Sequence, residues 1–202
     1  MLVERAAPAP VRDIDVLWVG NIRRVKRPDR MMELAAALPG ESVHMAGGPL
    51  PGEERLYDEM RDAAAGLSNL RFHGRLPYWE ANELYGRASV LVNTSDVEGF
   101  PNSYLQAWIR GVPVVTLIDP DGVIAREGLG VAVDAPDALL PAVRSLLASP
   151  ADWLAASHRC LAYMEREFGD DKILAAYLDA LEGTPAASAG RDIMEIRDAR
   201  AA

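Results

Sequence analysis

The chain has 202 residues, half of them apolar and a quarter charged, the make-up of a folded globular protein with room for one domain and short tails. Its 30 acidic against 21 basic side chains, a formal net charge of −9, speak against nucleic-acid binding or broad adhesion to anionic lipid, which need clustered Lys and Arg. The single cysteine, Cys160, makes no internal disulfide, and no apolar run approaches the ~18 residues of a membrane span, so a reducing, cytoplasmic setting is expected.

Residues 1–13 carry Ala7-Pro-Ala-Pro10 and read as a linker. Val16–Val19 is a short apolar run ended by Gly20, the pattern of a buried strand and its turn. Met31, Met32, Leu34, Ala35 and Leu38 recur at helical spacing, which predicts a helix over 28–38 stopped by Pro39-Gly40. The unit then repeats. Strands are expected at 42–46, 70–73, 89–93, 113–117 and, more weakly, 131–133. Helices are expected at 53–66, 80–87, 102–110 and 137–148. Two further helices, 151–168 and 170–182, close a domain of residues 14–183, and 184–202 reads as a mobile tail.

Near-continuous apolar strands alternating with helices imply a parallel sheet covered on both faces. The expected fold is α/β: a doubly wound, mainly parallel, six-stranded Rossmann-like sheet with two extra C-terminal helices. Ligands of such sheets bind beyond the carboxyl ends of the strands. That rule selects the turns 20–27, 47–52, 74–79 and 94–102.

Two of these turns carry chemistry. The segment Asn93–Trp108 leaves a strand and enters a helix, whose first amides and positive dipole end suit a phosphate. Within it, Gly99 permits close backbone approach, Pro101 pre-sets the helix entry, and Asn102 and Ser103 are good capping residues. Glu98 offers a carboxylate to sugar hydroxyls, and Gln106 lies about one turn inside the helix, within reach of a ribose. In the first turn Arg23, Arg24, Lys26 and Arg27 crowd together in an acidic chain, enough charge to neutralise a diphosphate. Gly20 opens neither a G-x-G-x-x-G nor a Walker loop, and no G-x-S-x-G elbow is present. His44, His73 and His158 show no metal-ligand spacing and read as structural, as does Cys160; Asp119-Pro-Asp-Gly122 reads as a turn.

Four motifs in order make the chain resemble the C-terminal, nucleotide-sugar-binding domain of group 1 (family 4) glycosyltransferases of GT-B fold. Val19-Gly-Asn-Ile-Arg-Arg-Val-Lys26 is similar to the family's glycine-arginine-x-x-x-x-lysine loop. Ala46-Gly-Gly-Pro49 is similar to its second glycine turn, and Phe72-His-Gly-Arg-Leu76 to its base-binding turn. Ser95–Asn102, with Ala107 and Gly111-Val-Pro-Val-Val115, is similar to its signature region. The resemblance implies that Lys26 meets the donor diphosphate and Glu98 the sugar hydroxyls. It places Gly20, Asn21 and Arg24 in the phosphate loop, Arg75 and Leu76 along the base, and the amides of Phe100, Asn102 and Ser103, with Gly99 and Pro101, around phosphate and sugar.

Two positions depart from the pattern. Asn21 stands where the family has arginine, with Arg23 and Arg24 the nearest replacement charges. Gln106 stands where it has a second glutamate. The implied activity is the donor-binding half of a retaining hexosyltransferase. It would take a UDP- or GDP-sugar, need no metal or cofactor, and stay inactive without an N-terminal GT-B domain or partner subunit. A degenerate, non-catalytic partner or regulatory domain is the alternative; an epimerase or phosphorylase half is a third, the latter needing a pyridoxal-bearing lysine that is not identifiable.

Overall fold

Six strands alternate with helices from Ile14 to Phe168, and the computed structural model describes residues 12–170 and Lys172. The strands are β1 (Ile14–Val19), β2 (Val43–Ala46), β3 (Leu70–Gly74), β4 (Ala88–Asn93), β5 (Val114–Thr116) and β6 (Gly130–Ala132). The helices are α1 (Pro28–Ala36), α2 (Glu54–Ala64), α3 (Tyr78–Arg87), α4 (Asn102–Trp108), α5 (Val123–Glu127), α6 (Leu139–Ala148) and α7 (Pro150–Phe168). Every neighbouring pair of strands is parallel, in the order β3-β2-β1-β4-β5-β6. The order runs outward from β1 on one side and from β4 on the other. The crevice between those two strands is therefore the topological switch point, where doubly wound sheets take ligands.

β1 is central, and a strand covered on both sides must be apolar on both. The N–H groups of Asp15 and Val16 both donate to the Ser42 carbonyl (3.0 and 3.1 Å) at the start of the strand. Ile14 and Leu17 face one core while Val16 and Trp18 face the other. Against Val16 and Trp18 pack α1, α2 and α6, through residues such as Met31, Ala64 and Val143. Leu17 meets α3, α4, α5 and α7, through Tyr85, Trp108, Ile124 and Cys160. Cys160 is fully buried, and burial pushes its thiol up to about 12, which keeps it inert.

Beyond shifts of one or two residues at element ends, three differences from the sequence reading concern how elements begin or where they lie. α3 starts at Tyr78 rather than Glu80 because Pro77, extended at φ −58° and ψ 154°, is itself the N-cap. Asp119-Pro-Asp-Gly122 is a 3-10 turn that launches α5, a helix the sequence reading missed; the Asp119 carboxylate accepts from the N–H groups of Ile124 (2.7 Å) and Ala125 (3.1 Å). β6 lies one residue earlier than expected. The expected helix 170–182 and tail 184–202 lie outside the described residues, apart from Asp170 and Lys172, as does the linker apart from Arg12 and Asp13. Arg12 donates to the carbonyls of Ala88 and Arg110 and sits 4.9 Å from the Trp153 ring centroid. The chain divides into two units, 1–164 and 165–202; within the second, Glu167 pairs with Arg166 (2.9 Å) and with Lys172. No described helix is long and apolar enough to cross a membrane.

His44 on β2 and His73 on β3 face each other, His73 Nε2 lying 3.1 Å from His44 Nδ1. Burial first, then His73, Arg87 and Arg71, push His44 down to about 4, and burial with Arg71 and Arg87 also lowers His73. Both rings are therefore neutral in the folded chain at pH 7, whereas an unfolded histidine binds its proton near pH 6.5. As pH falls through 6.5 toward 4 the unfolded chain binds protons that the folded pair does not, so stability falls with pH over that window and is unaffected by the pair well above it. Urea denaturation at pH 7.5, 6.0 and 5.0 should show a falling midpoint, flattened by His44→Leu. A wild-type midpoint constant over that range refutes the assignment.

Candidate functional site

The ends of β1, β2 and β3 are built from glycine, and there main chain lies directly on main chain. The Gly20 N–H donates to the Ala46 carbonyl (3.0 Å), the Ile22 N–H to Gly48 (2.8 Å) and the Gly47 N–H to Gly74 (2.8 Å). A Cβ on Gly48 would sit 2.7 Å from Arg75 Nε, and Gly74 adopts φ +67°, the left-handed region that glycine enters freely. These three turns form the floor of a cleft.

The facing wall comes from the end of β4, tied to the β1 loop by a set of polar contacts. The Trp18 indole N–H donates to Thr94 Oγ1 (3.0 Å), and the Thr94 hydroxyl donates to the Lys26 carbonyl (2.8 Å). Arg30 donates to the Thr94 carbonyl (2.9 Å), and the Asp96 N–H to that of Val25 (2.9 Å). Asp96 also pairs with Arg30 at 2.7 Å. The result places Lys26 against Glu98, and Lys26 Nζ pairs with Glu98 Oε1. Ser95 Oγ (2.7 Å) and Asn93 Nδ2 (3.4 Å) donate to the same oxygen. Burial on its own raises a carboxyl, but Lys26, Ser95 and Asn93 outweigh it and hold Glu98 below its ordinary range, hence ionised.

Floor and wall enclose about 740 Å³ at the carboxyl ends of the strands, a volume in the range of small-molecule sites. Lys26, Glu98, Gly20, Asn21, Arg75, Leu76, Phe100, Pro101, Asn102, Ser103 and Gln106 all line it. Arg24 and Gly99 do not. Arg24 is exposed, its N–H 3.4 Å from Glu53 Oε1, and Gly99 is exposed with open space where a Cβ would be. Arg23 lines the cleft in place of Arg24, and its Nε is buried without a hydrogen-bond partner. An orphaned charged donor beside a cleft asks for an anion from outside.

At the mouth, α4 starts at Asn102 as the sequence reading expected, but its capping differs. Pro101 is the N-cap, no side chain caps the helix, and Asn102 and Ser103 are its first residues rather than its caps. Gln106 is already engaged on both ends of its amide. Its Nε2 donates to the Tyr78 hydroxyl (3.2 Å), and its Oε1 accepts from Arg110 (3.1 Å). The sequence reading missed the α3 side of the cleft, where Tyr78, Ala81, Asn82 and Tyr85 line the cavity. Their i, i+3, i+4, i+7 spacing after the third glycine turn was the available signal.

Comparison with known proteins gives this geometry a family. The sequence model for "Glycosyl transferases group 1" matches residues 13–149. A D-inositol 3-phosphate glycosyltransferase of Geodermatophilus obscurus is 30% identical over 188 residues, covering 86% of this chain and 42% of that protein. The enzyme of the same name from Mycolicibacterium paratuberculosis is 31% identical over 195 residues, covering 88% and 43%. The chain thus spans less than half the length of these curated relatives. Among solved structures, Anabaena HepE in complex with UDP-glucose superposes with a TM-score of 0.70 at 15% identity, over 85% of this chain and half of that one. The C-terminal domain of the Francisella tularensis group 1 glycosyl transferase LpcC superposes with a TM-score of 0.69 at 17% identity, over 81% and 95%. The two structures share the Rossmann-like fold, and the matched span runs from the start of the sheet to the end of α6: the chain belongs to the group 1 glycosyltransferases.

Proposed function

We propose that the cleft binds the donor of a retaining hexosyltransferase, a nucleotide-sugar, and that the rest of the enzyme lies outside this chain. The observation that carries this reading is the convergence of Lys26, Arg23 and Arg75 with Glu98 in one cleft at the switch point of an otherwise acidic chain. The diphosphate lies on Lys26, Arg23 and the amides of 100–103, the base along Arg75 and Leu76, and the hexose against Glu98. As the sugar leaves, charge develops on the diphosphate, and these donors are already in place to stabilise it. HepE, a structural neighbour, was solved with UDP-glucose, which makes UDP the first nucleotide to try. Transfer is expected only with the acceptor-binding half present, since the chain covers 42% of its relative.

Calorimetry of the chain with UDP and GDP tests the reading directly. Lys26→Met removes a charge-assisted contact and should weaken UDP by roughly ten- to a hundredfold. Wild-type affinity in that variant rejects the assignment of Lys26. Gln106 favours a second reading, a non-catalytic partner domain, because an amide bound to Tyr78 and Arg110 replaces the glutamate of the family pattern. Absence of binding at millimolar nucleotide selects that second reading.

A further inference from the structure

Lys26 and Glu98 are the two groups on which the donor-binding reading leans hardest, yet in the ligand-free cleft they satisfy each other. Neither is a surface side chain caught in passing. Lys26 is 18% exposed and Glu98 9% exposed. Their backbones are held by separate contacts, Lys26 through its carbonyl to Thr94 and Glu98 through the turn that Asp96 ties to Val25. The pair is a built contact across the cleft. It also spends the charges that a diphosphate and a sugar would need.

The hydrogen bonding of Glu98 is lopsided. Lys26, Ser95 and Asn93 all donate to Oε1, and Oε2 takes none of them. Losing Lys26 would leave Oε1 with two neutral donors, so the carboxylate keeps its position without the lysine. Lys26 has no such second holder. An ammonium has three donors, and a diphosphate carries more charge than one carboxylate, so an arriving diphosphate outbids Glu98 for it. Arg23, which lines the same cleft, supplies the initial attraction through its charge.

We propose that the Lys26–Glu98 ion pair is a latch which an incoming diphosphate opens. The diphosphate replaces Glu98 as the counter-ion of Lys26, and Glu98 Oε1, still held by Ser95 and Asn93, becomes an acceptor for a sugar hydroxyl. Recognition is then ordered: the sugar is read only after phosphate has engaged. The proposal rests on the donor-binding reading and adds an unexpected sign. Removing a site carboxylate should tighten nucleotide diphosphate binding instead of weakening it.

The test uses the full chain and two readouts. By calorimetry, Glu98→Gln should bind UDP about tenfold more tightly than the wild type, because a like charge is removed and Lys26 is freed. The advantage of UDP-glucose over UDP should shrink in the same variant. Reductive methylation of the ligand-free protein, mapped by peptide mass, should label Lys26 faster in Glu98→Gln than in the wild type. Glu98→Ala gives the same ordering and serves if the glutamine variant does not fold. UDP affinity in the variant equal to or below the wild type overturns the latch, whatever the labelling shows, and so does an unchanged labelling rate. In both cases a wild-type chain that binds UDP leaves the donor-binding reading standing. A wild-type chain that binds neither UDP nor inorganic pyrophosphate brings down that reading, and the latch with it.

Discussion

Gly47→Ala is expected to abolish nucleotide binding and to cost about 3 kcal/mol of stability, the upper range for forcing a methyl into a packed site. Gly47 is not in a left-handed conformation, so the effect comes from space alone. Its Cβ would fall 1.7 Å from the Gly20 carbonyl oxygen and 2.9 Å from the carbonyl carbon. The obstacle is backbone, and it is pinned on both sides by the bonds of Gly20 to Ala46 and of Ile22 to Gly48. To make room, the Gly20 turn must leave β2, and the loop carrying Arg23 and Lys26 goes with it. Gly86 is the control: it lies in α3 with nothing within 4 Å, and Gly86→Ala should stabilise by roughly 0.5–1 kcal/mol. Thermal denaturation and a UDP titration of both variants decide the matter. A Gly47→Ala protein that melts and binds like the wild type contradicts the packing of the floor.

Trp108→Ala should be the costliest single truncation, about 3–5 kcal/mol, which lowers the melting temperature by roughly 10 °C. The indole is fully buried and its ring is contacted by Phe100 (6.1 Å between centroids), Tyr104 (5.6 Å) and Tyr163 (5.5 Å). Phe100 is 43% exposed at the mouth of the cleft, and Trp108 is what backs it. Loss of the indole should therefore weaken nucleotide binding as well as folding. Trp108→Phe is the informative companion. Trp108 Nε1 has no hydrogen-bond partner, so phenylalanine removes an orphaned donor along with some ring area, and the cost should stay near 1 kcal/mol. Equal losses in the alanine and phenylalanine variants would contradict the unpaired indole nitrogen, since only a bonded N–H could make phenylalanine so costly.

The fold was legible because its signal is local and repeated. Apolar runs at 16–19, 42–46 and 89–93, each ended by a turn and followed by helical spacing, leave few alternatives to a parallel sheet. α5 was not legible for the opposite reason. It is five residues long, and its start depends on the Asp119 side chain folding back on Ile124 and Ala125, which no periodicity announces. In the cleft, sequence could say that Lys26 and Glu98 sit in turns at the same rim of the sheet, but not that they touch. That contact depends on Thr94, Asp96 and Arg30, ordinary polar residues whose task appears only once β1 and β4 lie side by side. Choosing between Arg23 and Arg24 was likewise a matter of loop geometry. The 3-10 turn Arg24–Lys26 leaves Arg24 in solvent and Arg23 on the cleft.

The floor of glycines has a consequence for how such a protein changes over generations. Where Gly20, Gly47 and Gly48 line the cleft, the surface offered to a ligand is peptide, with no side chain to exchange. The rim is different: Asn21 and Gln106 stand there as side chains, and a substitution at either leaves the peptide floor untouched. Any retuning of what such a cleft holds then falls to the few long side chains around its edge, Lys26, Arg75 and Glu98 among them.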